Sequence, residues 1–252
     1  MKKVYFLVAI LSIIASLYIY KEIRKNKDVK VVSDVIQDLD LFPVGNFDNI
    51  TEPYDPVVYI YNTHQKETYK EDFLNFSPTV LDAAYTLRDY LEELNIQTYV
   101  ENSDFEDFLI INNWASNKLY DVSRFYLEDT MKRYKNIKLY IDFHRDSVKE
   151  EISTIHINNK DYAKVLFVVG LSNPNYKENL KVVKKLNSLI TSRVNISRGI
   201  LQKSSASANG IYNQDLSPNA ILLEIGGYQN KFSEVDNTLK IVAESISDFL
   251  NE

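Results

Sequence analysis

Cysteine is absent from the 252 residues. That excludes thiol catalysis, disulfides and thiolate-held metals together, and it suits a chain that works outside the cytoplasm. Histidine is scarce: His64, His144 and His156 are the three. Any transition-metal site must be built from these with Asp or Glu. An excess of positive charge is missing too. The formal net charge is -6, which opposes the phosphate backbone and excludes nucleic acid as an expected partner. There is no internal repeat. What remains is an ordinary globular composition, 45% hydrophobic and 25% charged. The length suits one large domain or two small ones with a substantial core.

Charge and proline are also missing from VYFLVAILSIIASLYIY, Val4 to Tyr20, after Lys2 and Lys3. The run is at the lower limit of a membrane span. Tyr5, Tyr18 and Tyr20 sit where interfacial aromatics belong. A cleaved signal peptide is the rival. Its apolar region is usually shorter, and Ala15-Ser16 followed by bulky Leu17 makes a poor cleavage site. Residues 1–20 are therefore expected to be a membrane anchor. Lys21, Arg24, Lys25 and Lys27 follow the span, so positive charge does not fix its orientation. Residues 21–53 carry mixed charge without a long period, and Pro43, Gly45 and Pro53 break regular structure. They read as a juxtamembrane stalk, with a catalytic domain over 54–252.

From Val57 onward strands alternate with helices. VVYIY (Val57 to Tyr61) is a strand. Thr79 to Asn95 is an amphipathic helix with Val80, Ala83, Ala84, Leu87, Leu91 and Leu94 on one stripe. Pro78 and Ser77 mark its start. IQTYV is a strand, Leu119 to Tyr134 a helix, and Ile137 to Phe143 the strand behind it. Glu151 to Asn158 and Tyr162 to Val169 suggest a hairpin turned at Asn158-Asn159-Lys160. Asn175 to Arg193 is a helix, Lys203 to Gly210 a polar loop, Ala220 to Ile225 a strand, and Ser233 to Leu250 a closing helix. Such alternation predicts an α/β fold, a mostly parallel sheet flanked by helices. Ligands of such sheets sit beyond the carboxyl ends of the strands.

Three strands end at chemistry-bearing residues. The first runs into NTHQKE, with His64 and Glu67 three apart. A turn there brings both to one point. IKLYIDFHRDS ends at His144, which completes a two-histidine, one-carboxylate set. Three protein ligands with one open position are what catalytic zinc requires. The ion acidifies a bound water, Glu224 in AILLEIGG accepts that proton and passes it to a leaving nitrogen, and the oxyanion is stabilised at the metal. This amounts to hydrolysis of an amide. The plainer readings stand beside it. H-x-x-E is common by chance, a histidine at a strand end often bonds a backbone carbonyl, and a glutamate before Gly-Gly can cap a turn. Glutamate inside an apolar run nevertheless needs a partner or a task. His156 in TIHINN has no acidic partner at ligand spacing and reads as structural.

The segments VYIYNTHQKETY, YIDFHRDS, AKVLFVVG and GIYNQDLSPNAILLEIGGYQN, in that order, resemble the stage II sporulation protein P family. The resemblance runs from about Tyr54 to the last helix. It implies a membrane-anchored, zinc-dependent N-acetylmuramoyl-L-alanine amidase that thins septal peptidoglycan during engulfment, with a zinc amidase-like fold. It implies His64, His144 and Glu67 as Zn2+ ligands and Glu224 as the catalytic acid/base. Peptidoglycan is the implied substrate, and other sporulation wall-remodelling proteins are the implied partners. The catalytic part then lies outside the membrane, in the intermembrane space of a sporulating cell, with Lys2 and Lys3 on the cytoplasmic side. Family members are also described as endopeptidases acting on cross-links, and a catalytically silent wall-binding module is the third alternative. Two departures stand out. The family's HTHxxE reads NTHQKE here, so Asn62 replaces the first histidine while the ligand spacing is kept. The stalk before Tyr54 is short for the family. Arg145 is a candidate for a substrate carboxylate, or for an ion pair with Asp146 or a neighbouring acid. Asn213 and Gln214 are candidates for the stem peptide, or for holding their own loop.

Overall fold

The computed structural model describes residues 54–70, 76–206 and 208–252. The expected anchor at 1–20 and stalk at 21–53 lie outside the described residues. Among the described residues no helix is long and apolar enough to cross a membrane.

One sheet organises the fold. Its strands are β1 (Val58–Tyr61), β2 (Thr98–Val100), β3 (Leu139–Asp146), β6 (Val165–Gly170), β7 (Ser197–Lys203) and β8 (Ala220–Gly227). Their order is β2-β1-β3-β8-β6-β7. All neighbours are parallel except β6 and β8. A separate antiparallel pair, β4 (Thr154–Ile157) with β5 (Lys160–Ala163), stands beside it. The helices are α1 (Val80–Glu93), α2 (Phe105–Ile111), α3 (Leu119–Arg133), α4 (Glu150–Ser153), α5 (Tyr176–Arg193) and α6 (Phe232–Asn251).

Side chains alternate across each strand, and the two faces are unequal. On one face Val58, Ile60, Leu139, Ile141, Phe143, Ile221, Leu223 and Ile225 join the apolar stripes of α1, α5 and α6 in the main core. Full burial of each such side chain is worth about 1.5–3 kcal/mol. The other face holds a smaller cluster of Tyr59, Tyr61, Tyr140 and Ala220 under Leu127 of α3. Beyond it, on that same face, β3 carries Asp142 and then His144. The thinner cover leaves the carboxyl ends of β1, β3 and β8 open on this side.

Local signals explain the boundaries. Thr79 caps α1 with a reciprocal capping box: Asp82 N donates to Thr79 Oγ1 at 3.2 Å, and Thr79 N donates to Asp82 Oδ2 at 2.7 Å. Asn95, with φ 61°, ends the helix in the left-handed conformation. The β4–β5 turn uses Asn158 and Asn159 at φ 51° and 60°, as a two-residue hairpin requires.

Three expectations change. The predicted second hairpin arm, Tyr162 to Val169, is two strands divided at Lys164. One half pairs with β4, and the other, fully buried, enters the main sheet as β6. The first arm also begins with α4 rather than in a strand. Helix α2 and strand β7 were not anticipated. The first is short and is capped by Asp104. The second is a partly exposed edge strand with little apolar content, SRGILQK, and a register shift facing it. Neither offers the periodicity by which elements are recognised.

Candidate metal centre and active site

The first strand end delivers its residues through a turn. Past Tyr61 the chain bends so that Glu67 N donates to His64 O at 3.1 Å. This places His64 Nδ1 3.4 Å from Glu67 Oε1. Gln65 fastens the turn to the start of α2, donating to Ser103 O at 2.8 Å and accepting from Phe105 N at 2.9 Å. The third strand brings His144 beside them. Its Nδ1 lies 3.5 Å from Glu67 Oε2, and its ring stands nearly perpendicular to that of His64 with centroids 5.2 Å apart. One ligand atom from each of His64, Glu67 and His144 falls within 4.8 Å of the others. Two imidazoles and a carboxylate converging at that separation fit a divalent transition metal with an open position. The open side is water-accessible: the His64 side chain is 41% exposed, that of Glu67 20% and that of His144 4%.

Asp142 was not anticipated as part of the site. It lies two positions before His144 on the same face of β3 and is fully buried. Its Oδ1 sits 2.8 Å from His144 Nε2, on the far side of the ring from Glu67. The same carboxylate accepts Thr63 N at 3.0 Å and Thr63 Oγ1 at 2.8 Å. The contact is one of charge, not an aligned hydrogen bond, because His144 Nε2 has no hydrogen-bond partner; a carboxylate on that side still favours a proton there and leaves Nδ1 for a ligand role. A charged residue in the middle of an apolar strand, in step with a histidine, is the signal that could have found it.

Strand register places Glu224. His144 and Glu224 are direct neighbours across β3 and β8. The Glu224 Oε2 atom is buried without a hydrogen-bond partner, an unusual condition for a carboxylate. Burial pushes its pKa up to about 7, against the pull of His144 and with added repulsion from Glu67, Asp146 and Asp142. Glu67 differs. Burial alone would raise it, but His144 and His64 hold it below the ordinary carboxylate range. Asp142 and Glu67 hold His144 well above its ordinary value, although burial opposes them. Two carboxylates pushed in opposite directions is the pattern of a ligand beside an acid/base. The glycine pair after Glu224 has a steric reason. Gly226 has φ +69°, and a Cβ on Gly227 would lie 2.3 Å from Val148 O.

The remaining candidates divide. Arg145 lines the cleft beside His64 and Glu67. Its backbone N donates to Glu67 Oε2 at 3.1 Å and its Nε to Thr68 O at 3.0 Å. The expected alternative, an ion pair with Asp146, is not formed, because the Asp146 carboxylate takes Arg198 Nη1 at 2.7 Å. Asn213 and Gln214 are buried. Asn213 Nδ2 donates to Tyr120 O at 3.1 Å and Ser123 Oγ at 3.0 Å. Gln214 accepts from Gly170 N and donates to Val168 O, each at 2.8 Å. Both hold their loop, as buried amides must find partners, which is the second of the two roles expected for them. That loop carries Tyr212, whose ring meets Tyr120 at 5.8 Å while Tyr120 meets His64 at 5.7 Å. Tyr120 thus stands between His64 and Tyr212. Asn62 lies underneath the cluster, fully buried. Its Nδ2 donates to Phe143 O at 2.7 Å and Val80 O at 3.3 Å, and its Oδ1 has no partner. His156 stands apart and exposed, paired with Asp161 at 2.7 Å, an acidic partner that only the folded hairpin supplies.

Known proteins supply the remaining context. In solved structures, N-acetylmuramoyl-L-alanine amidase AmiC2 of Nostoc punctiforme aligns at 11% identity and TM-score 0.45 over 78% of this chain and 98% of that one. The N-acetylmuramoyl-L-alanine amidase from Clostridium difficile 630 aligns at 16% and 0.46 over 79% and 96%. Stage II sporulation protein P of Bacillus subtilis (strain 168) is 33% identical over 202 residues, 76% of this chain. The chain spans about half, 50%, of that relative's length. Residues 18–247 match the family described as Stage II sporulation protein P (SpoIIP), and a match over that much of the sequence means that the chain belongs to this family.

Proposed function

We propose that this chain is a zinc-dependent peptidoglycan hydrolase that cuts the amide between N-acetylmuramic acid and L-alanine of the stem peptide. The observation that carries the reading is Glu224, whose carboxylate Oε2 is buried without a hydrogen-bond partner, directly across the strand pair from His144 of the His–Glu–His cluster. Family membership supports wall remodelling in sporulation as the setting. On this reading residues 1–20 anchor the chain, residues 21–53 carry the catalytic part into the space between the membranes, and other wall-remodelling proteins are its partners.

A zinc ion bound at this cluster supplies Lewis acidity, which acidifies water and polarises an amide carbonyl. His64, Glu67 and His144 hold that position. Asp142 keeps the proton on His144 Nε2, so that Nδ1 presents its lone pair to the cluster. Glu224 removes the proton of the attacking water and returns it to the departing L-alanine nitrogen. Its raised pKa suits both duties near neutral pH. Arg145 braces Glu67 through its backbone N and offers the rest of its guanidinium to a stem-peptide carboxylate.

The test uses the full chain, loaded with zinc and incubated with purified peptidoglycan. Released peptides should begin with a free L-alanine, and chelator should stop their release. Glu224→Gln should keep the metal and lose turnover by roughly 10²–10⁴. Fragments cut inside the cross-links would replace the amidase with an endopeptidase. Bound zinc without any cleavage would leave a wall-binding module.

A further inference from the structure

The ladder between β1 and β3 ends where the metal cluster begins. Val58 to Tyr61 face Leu139 to Asp142 in register. Bonds between parallel strands are slanted and evenly spaced, each N–H reaching the carbonyl one residue before its partner. Leu139 N donates to Val57 O at 3.3 Å, so the odd-numbered residues of β1 are the ones turned to β3. Beyond Tyr61, the next N–H due to cross is that of Thr63, and the carbonyl due to accept it is that of Phe143.

Side chains stand in for that bond. Thr63 N donates to Asp142 Oδ1 at 3.0 Å, and the donor at Phe143 O is Asn62 Nδ2, at 2.7 Å. Each backbone group keeps a partner, as burial demands, yet the two strands part. Parting is what lets the chain leave the sheet and turn His64 towards Glu67.

The Asn62 amide lies among the backbones of all three ligands. Phe143 precedes His144. Val80 O also accepts from Asn62 Nδ2, at 3.3 Å, while Val80 N donates to Glu67 O at 2.9 Å. Asn62 itself is two residues before His64. An amide nitrogen carries two hydrogens, one for each carbonyl, and the reversed amide would set an oxygen against both. The donation is kept although Oδ1 of this fully buried side chain has no partner, which costs stability. A residue needed only to fill space would avoid that cost.

We infer that Asn62 is a positioning residue of the metal centre. Its amide replaces the ladder bond at Phe143 and clasps Val80, so that His64, Glu67 and His144 are held at ligating separation before an ion arrives. It touches neither ion nor substrate. The inference rests on the metal cluster of the proposed hydrolase but needs no turnover.

Asn62→Leu keeps the size of the side chain and removes both donors. The full chain is titrated with zinc alone in competition with a chromophoric chelator, and ligand geometry is read from the visible absorption of the cobalt(II) form. Circular dichroism sets a temperature at which the variant is folded. Asn62→Leu should lose zinc affinity about 10–100-fold and shift the cobalt bands. Parental affinity with parental bands in the folded variant, whatever its melting temperature, would overturn the inference, because a residue that serves stability alone leaves the ligands where they were. If Asn62→Leu does not fold, Asn62→Ser, with one donor for two carbonyls, replaces it and is read by the same two results. The two readings fail separately. Zinc binding without cleavage removes the hydrolase and leaves the affinity comparison to decide the role of Asn62. Cleavage with an unaffected Asn62→Leu removes only the positioning role, and a parent chain that binds no zinc removes both.

Discussion

At the scale of single residues, the cluster depends on groups that do not ligate. Asp142 has two tasks: its carboxylate backs His144 and also holds Thr63 N and Oγ1 at the mouth of β1. Asp142→Asn keeps the shape and removes the charge. Its zinc affinity, read by competition with a chromophoric chelator, is expected to fall about 10–100-fold. Unchanged affinity in a folded variant would show that the pair does not orient the ring. The residue was readable as an oddity, a carboxylate inside YIDFH, but its partner was not, because pairing with His144 depends on which way the strand faces. Asn62 was readable only as a departure from the family pattern. Its position explains what the departure does: the amide ties the Phe143 carbonyl, one residue before His144, and does not reach the ligand set.

At the scale of elements, register does the positioning. The β3–β8 pairing sets His144 against Glu224, and the parallel β1–β3 pairing sets Tyr61 against Asp142. A one-residue slip would move every one of these groups to the opposite face. Helix α1 helps hold β1 in place, since Val80 O accepts from Asn62 Nδ2 and Val80 N donates to Glu67 O at 2.9 Å. Its capping box therefore lies next to Glu67 of the cluster. Thr79→Ala should cost about 1 kcal/mol, and should lower the melting temperature by about 2–4 °C for a domain of this size. Calorimetry of the metal-free protein would show it, and an unchanged midpoint would mean that the box is redundant. The long amphipathic helices were legible from their stripes. Strand β7 and helix α2 were not, because an edge strand and a seven-residue helix bury too little to impose a period.

At the scale of the whole molecule, the uneven cover of the sheet makes the site. Three helices seal one face, and a single helix covers part of the other, so buried acids and histidines accumulate at the open end. Stability then depends on pH. Glu224 has an ordinary value of 4.5 and a folded one of about 7, so the native state binds the extra proton between them. His144, also raised, acts in the same direction above its ordinary 6.5. Glu67, lowered, stabilises only above the ordinary carboxylate range and loses that contribution in acid. The metal-free protein should therefore lose stability as pH rises from about 5 to about 8. Glu224→Gln should flatten that slope. Denaturant midpoints at several pH values would check this, and a slope identical in the variant would assign it elsewhere.

The sequence by itself determined which groups were available for chemistry. With no thiols, three histidines and buried acidic residues at strand ends, His64, Glu67, His144 and Glu224 were the available set, and alternating periods predicted the sheet beneath them. Only the tertiary structure decided which of the remaining polar groups serve the site. Asn213 turned inward to α3 and Gln214 to β6, Asp146 went to Arg198, and Asp142 went to His144. Those choices follow from burial and from strand facing, which depend on the packing of segments far apart in the chain and leave no local pattern to read.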